Sequence, residues 1–492
     1  MKKLLKSCLS IVLAATAIFS FTACKTKLSK TTVNTNKVKV VNGVTTNGGI
    51  TAIYDGYLYF INGTKTNDGT SSKKNTKSAI CKVRYDETTG TVDKNTYKVV
   101  VSDLVGFEDG SLYFFGDFMY YAKPCSDKNK AGDVLFNKTT FMRYDLVNNK
   151  SYEIYTTQLN DEEEAITYSY YIVGESLNLV VYEKNNSSLT SLKIGDEVKT
   201  NYIIEDVISC VMSENQGTCT TAGKTVDANS YVYYSQTPVV DIQAGIIDLP
   251  QDGSKIYRVS PQTNNSKKIA ATGEDIALLC IRSGKLLTSI GSTIYAHEIT
   301  GAENETLSFD ISLAISYQTY ENVIFMENAD GSISVLSYDT DTFEVTVVKW
   351  ISGVEIESKT INVLSKSEAF EFVGLSTIDE VIVKDDESTT EVDETKTQKV
   401  QFLTYIDDGA LYKLEISRAN DSGEMVLSSY SQPIKLTTTK VSASSGLLVP
   451  EVVGNYMFVY AADDNNNVYM YKVDITVTDD STSAAKIINI AE

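Results

Sequence analysis

Histidine and tryptophan are nearly missing from this chain: 492 residues carry one of each, His297 and Trp350. One histidine excludes a multi-histidine metal centre and leaves any histidine-dependent mechanism to a single position. His297 alternates with Tyr295 and Ile299 on one strand face, with Glu298 on the other and no nucleophile signature nearby, so it reads as structural. Helical amphipathicity over three or more turns is also missing, which argues against an α/β enzyme fold. Basic charge is scarce as well. With 44 Lys+Arg against 64 Asp+Glu the formal charge is -20, which argues against nucleic acid as a partner because phosphate contacts dominate that affinity. Proline is limited to six residues, while Tyr (31), Thr, Val, Ile and Ser abound. Such a composition favours strands.

No stretch beyond the first two dozen residues is long and apolar enough to span a bilayer. Those first residues are informative: Met1-Lys2-Lys3 leads into an apolar run and then Phe21-Thr22-Ala23-Cys24. The segment resembles the signal peptide of a bacterial lipoprotein, with Phe21 where the usual motif has Leu. The resemblance implies cleavage before Cys24, acylation of its thiol with palmitate-type chains, and a location on the extracytoplasmic side of the cell membrane. Removal of Lys2, Lys3 and Lys6 would take the formal charge from -20 to -23. Residues 24–49, rich in Lys, Thr, Asn and Gly, read as a lipidated flexible tether, with one short strand expected at Val38 to Val41. A single folded domain is expected from 50 to 492.

Internal repetition sets the expected fold. A hairpin unit recurs: an alternating strand bearing Tyr, a polar turn, then a second alternating strand, as in ICKVRYDETTGTVDKNTYKVV, FMRYDLVNNKSYEIY and VYMYKVDITVTDDSTSAAKIINI. Another strand precedes most copies, often opened by glycine, as in Asp55-Gly56-Tyr57-Leu58-Tyr59-Phe60. The expectation is all-β, a propeller of about eight (alternatively seven) four-stranded blades. The alternating Gly-x-Leu-Tyr-Phe and Ile-Tyr-Arg-Val patterns resemble the domain-of-unknown-function propellers of bacterial surface lipoproteins, distant relatives of the low-density-lipoprotein-receptor type. That resemblance spans Ile50 to the C-terminus but lacks the Tyr-Trp-Thr-Asp signature. It implies a binding scaffold, with no catalytic residues to carry over.

Loop lengths point to one face. Long insertions are expected between second and third strands at Asn62 to Ser78, Pro124 to Thr139, Gln236 to Ser254 and Lys384 to Lys399, against tight turns such as Asn328 to Gly331 and Asp463 to Asn467. Long loops on a rigid frame concentrate binding residues. The apolar insertion offers Val239, Val240, Ile242, Ile246 and Ile247 as contacts. Tyr120, Tyr121, Tyr233 and Tyr234, from the clusters 118–121 and 231–234, are candidates for an aromatic binding strip.

Other chemistry is sparse. Asp463, Asn465 and Asn467 imitate a calcium loop, but Val468 stands where the turn glycine belongs. Cys210 and Cys219 are close enough in sequence to bridge a loop. No metal, cofactor or catalytic residue is expected. Two functions follow: a membrane-anchored, non-enzymatic binding or scaffold module for an envelope protein or cell-wall polymer, or an extracellular carbohydrate-binding protein, less readily a glycan lyase or hydrolase.

Overall fold

A computed structural model describes the strand-bearing body between Thr51 and Lys486, apart from connections that are chiefly 63–78, 104, 106–111, 158–165, 213–230, 237–253, 300–304, 317–322, 363–370, 383–395 and 438–450. Residues 1–50, with the expected signal peptide, Cys24 and tether, lie outside the described residues, as do 487–492.

The chain is an all-β propeller. Its strands fall into eight successive antiparallel sheets, spanning 51–101, 113–156, 167–204, 207–271, 276–316, 323–362, 371–435 and 451–486, here sheets 1 to 8. Seven hold four strands; in sheet 7 the short strand Ile434–Lys435 adds a fifth by pairing with Ala410–Ala419. Turn chemistry explains the tight corners. Asp55 and Gly56, at φ 53° and 75°, join Thr51–Tyr54 to Tyr57–Ile61. An Asp-Gly pair with both residues at positive φ matches the right-handed twist of a two-residue hairpin.

Burial gives each sheet its direction. In sheet 1 the first strand is buried throughout, whereas the fourth, Thr91–Val101, is exposed or half-buried except at Val101. The first strands therefore line the centre, and those of sheets 4, 5 and 6 lie against one another in sequence. Side chains alternate between the two neighbouring seams, as the pleat requires. On Phe118–Pro124, the residues Phe118, Tyr120 and Ala122 pack toward sheet 3, while Met119 and Tyr121 pack toward sheet 1.

The ring closes through side chains. Phe458, Tyr460 and Met470 of sheet 8 share a core with Ile53, Leu58 and Phe60 of sheet 1, and the Tyr460 hydroxyl donates to the Ile61 carbonyl. Among the described residues no sheet combines strands from the two ends of the chain.

Six of the eight seams carry one recurring device: a donor on a third strand reaches the segment following the third strand of the next sheet. Arg143 meets the Gly195 carbonyl, Ser191 the Pro261 carbonyl, and Arg258 the Glu305 carboxylate. Lys349 meets the Met425 carbonyl, Lys413 the Ile475 carbonyl at 2.6 Å, and Lys472 the Gly90 carbonyl. The last of these crosses from sheet 8 back to sheet 1. Where the donor is a lysine or arginine, its stem runs along the seam and its charged end meets a polar group of the next sheet.

Antiparallel alternation assigns the connections to two rims. The segments 62–79, 125–138 and 237–254 join second to third strands, as expected. Two expectations are corrected. The acidic insertion follows Glu371–Ile382, the first strand of sheet 7, and so leaves from the opposite rim; its expected end, Lys396 to Lys399, lies within the strand Lys396–Asp407. The connection holding Asn328 to Gly331 likewise joins first and second strands, Val323–Glu327 and Ile333–Asp339. In both places the sequence repeat is offset by one strand from the sheet, because successive alternating strands look alike.

Candidate functional site

The aromatic strip is not formed. Tyr120, Tyr121, Tyr233 and Tyr234 are all buried between sheets. Tyr120 and Tyr121 point to opposite seams, as do Tyr233 and Tyr234, because adjacent residues of a strand face opposite ways. Tyr121 is tied down further: its hydroxyl lies 3.3 Å from Asp103 Oδ2 and 3.1 Å from Ser151 Oγ, and Lys123 pairs with Asp103 at 2.9 Å. All four supply packing area, and Tyr121 adds seam hydrogen bonds; none presents an exposed ring face to a ligand.

Val239, Val240, Ile242, Ile246 and Ile247 lie outside the described residues, as does the calcium-like turn 463–467. Cys210 is a free thiol on Val207–Met212, and Cys219 lies outside the described residues. Burial raises the Cys210 thiol far above its ordinary pKa, which removes it from nucleophilic chemistry. Among the described residues no three His, Cys, Asp or Glu groups gather as metal ligands would.

His297 is buried with both ring nitrogens engaged. Nε2 stands 2.7 Å from Thr288 Oγ1, and Nδ1 stands 2.8 Å from the Ser308 carbonyl. A carbonyl only accepts, so Nδ1 carries the proton and the Thr288 hydroxyl donates to Nε2. Desolvation pushes the imidazole pKa down to about 4, partly opposed by the hydrogen bond to Ser308. Phe309 packs edge-on against the ring at 4.8 Å.

Two buried arginines escape the sequence reading. At the seam of sheets 4 and 5, Arg258 forms an ion pair with Glu305 under the Tyr231 ring, whose centroid is 4.5 Å away. At the seam of sheets 2 and 3, Arg143 is fully buried, stacked 4.5 Å over Phe118, with Nη1 donating to Gly195 at 3.4 Å. Tyr120 and Tyr170 pack beside it. Burial raises the Tyr120 phenol, and Arg143 opposes that rise through its charge and a hydrogen bond. The signal was present in sequence as an apolar pair, a base and another apolar residue, Phe141-Met142-Arg143-Tyr144 and Ile256-Tyr257-Arg258-Val259. It gives strand position but not the partner across the seam.

No family model matches the chain, and no curated protein matches its sequence. Solved structures are similar in outline. A post-proline cleaving enzyme from Rickettsia typhi is 11% identical with a TM-score of 0.37, covering 89% of this chain and 59% of its own. A puromycin hydrolase is 10% identical with a TM-score of 0.40, covering 76% and 52%. An oligogalacturonate lyase in complex with manganese is 9% identical with a TM-score of 0.36, covering 85% and 97%. The chain therefore spans little more than half the length of the first two.

Proposed function

We propose that this chain is an extracytoplasmic lipoprotein, held to the cell membrane by lipid on Cys24, whose propeller is a binding or scaffold module for an envelope protein or cell-wall polymer. The observation that carries the binding role is the asymmetry of one rim. Three second-to-third connections are long, 62–79, 125–138 and 237–254, while the other five are short, 184–187, 291–292, 340–343, 408–409 and 463–467. Propeller geometry needs only a short turn at this point, and a long connection there adds ordering entropy without helping the fold. The apolar composition of 237–250 suits a protein or polymer surface.

The role is non-catalytic in this reading, since the one histidine is occupied within the sheet. The carbohydrate alternative loses its main support once the tyrosines are buried. Kinship with lipoprotein-receptor-type propellers rests on the Gly-x-Leu-Tyr-Phe and Ile-Tyr-Arg-Val patterns alone.

The test uses the full-length protein in cells. Palmitate labelling and membrane fractionation of wild type and Cys24→Ser should show label and membrane association lost together in the variant. Cross-linking followed by mass spectrometry, with purified cell wall as a co-sedimentation arm, should recover a partner that disappears when 237–253 is replaced by a Gly/Ser linker. Retained binding at unchanged thermal stability would move the binding surface away from this rim.

A further inference from the structure

We propose that the segment 305–309 is an acid-released clasp between sheets 4 and 5, with His297 as its trigger. The device is independent of what the long-connection rim binds. The segment lies between the third and fourth strands of sheet 5, Thr293–Glu298 and Ser312–Ser316, yet half of its anchors belong to sheet 4. Glu305 pairs with Arg258, and the Leu307 amide donates at 2.8 Å to the Ile269 carbonyl on the outer strand Lys267–Ala271. Leu307 and Phe309 also pack on the core that the two sheets share.

On its own sheet the segment is held by the histidine. His297 Nδ1 donates to the Ser308 carbonyl, and Phe309 stands edge-on to the imidazole at 4.8 Å and to the Tyr295 ring at 5.4 Å. The segment thus gives a hydrogen-bond partner and an aromatic cover to a ring that is only 3% exposed. Lifting it hydrates the imidazole. While it is down, Nε2 is committed as acceptor of the Thr288 hydroxyl, so a second proton must break that bond. No carboxylate bonds either ring nitrogen. The charged groups around the ring are the Arg258–Glu305 pair at the start of the segment, Lys267 and Lys268 on the outer strand of sheet 4, and the Lys285–Glu298 pair, whose Glu298 lies on the opposite face of the third strand. Tyr295, stacked beside the imidazole, is the neighbouring titratable side chain. A cationic His297 would add positive charge to a segment that already faces Arg258. Burial holds the closed ring at about 4 against an ordinary 6.5, so protons favour the lifted form.

The experiment is native-state hydrogen exchange of the full-length protein, with the Leu307 amide read by mass spectrometry and corrected for intrinsic rate. Its protection should fall about 30-fold between pH 7.5 and 5, because the lifted form titrates at the ordinary 6.5 and the closed form only at about 4. The Val207 amide, bound to the Ser187 carbonyl at the seam of sheets 3 and 4, is the internal reference and should change less than about threefold. In His297→Gln the loss at Leu307 should shrink to the same small size. Equal falls at Leu307 and Val207 would mean opening of the whole chain and would overturn the clasp. Constant protection at Leu307, or a fall that survives in His297→Gln, would overturn the trigger. If the variant does not fold, the onset of the wild-type fall decides: near pH 6.5 it belongs to the histidine, and an onset only near 4 would assign it to a carboxylate such as Glu305 and overturn the proposal.

Discussion

The hydroxyl of Tyr456, in the last sheet, donates to the carbonyl of Thr89 in the first at 3.3 Å, joining residues 367 positions apart. The Lys472 ammonium lies 4.1 Å from the centre of the same tyrosine ring and binds the next carbonyl, that of Gly90. Two adjacent side chains of sheet 8 therefore clamp one hairpin turn of sheet 1.

Gly90 is the vulnerable point of that clamp. Its φ is +65°, and a Cβ there would lie 2.2 Å from Tyr456 Cε2. Gly90→Ala should destabilise the protein by about 2 to 4 kcal/mol through combined backbone strain and ring displacement. Gly284→Ala is the control, because its φ is +69° with nothing within 4 Å, and it should cost only about 1 to 2 kcal/mol. Denaturant unfolding of the two variants measures the difference, and equal losses would show that the Tyr456 ring yields freely.

The Arg258–Glu305 pair should show strong coupling. Arg258→Met leaves a buried carboxylate facing an apolar stem and should cost about 3 to 5 kcal/mol, whereas the double variant Arg258→Met with Glu305→Leu should recover most of it. Chemical denaturation of the single and double variants tests this. A double variant no better than the single would mean that other contacts of these residues dominate the seam.

His297 makes stability fall on mild acidification. Its folded pKa is about 4 against an ordinary 6.5, so the unfolded chain takes a proton that the folded chain refuses. The contribution is complete above pH 6.5 and is lost as pH falls toward 4, amounting to about 3 kcal/mol. His297→Gln should lower stability at pH 7 yet flatten its decline between 6.5 and 4. Parallel slopes for the two proteins across that window would assign the acid sensitivity to carboxylates instead.

Much of this architecture was legible in the sequence, because period-2 alternation and Asp-Gly turns are local. Asp55-Gly56 marks a hairpin, and Tyr57-Leu58-Tyr59-Phe60 marks the strand after it. What failed was strand rank within a sheet. The strand Val323–Glu327 carries the same signals whether it is first or second, and only its neighbours across the seam decide. Rank then assigns loops to rims, so one misjudged strand moves an insertion to the other side. The tyrosines failed differently: Tyr120 and Tyr121 invite a binding reading by type, but alternation between two occupied seams buries both. Arg143 and Arg258 were invisible as a class because their partners come from a different sheet.

The acidic connection 383–395 should be dispensable. It leaves the first strand of sheet 7 and returns in the second, and it carries no large apolar residue apart from Val383 and Val392. Replacing 384–394 with a short Gly/Ser turn should change Tm by less than about 2 °C. Loss of cooperative unfolding would show that the connection packs on the ring.

Since each sheet is assembled from consecutive strands, and the seam between sheets 8 and 1 uses the same third-strand donor as its counterparts, chain order and ring order are separable. Circular permutants opened at any tight inter-sheet connection, with the present ends of the ring fused by a linker, have the same set of seams to form. The same independence lets whole sheets be duplicated or deleted as units, with ring curvature absorbing the change in number. A repeat ring of this kind can diverge seam by seam, keeping an ion pair at one arginine and a backbone carbonyl at the next.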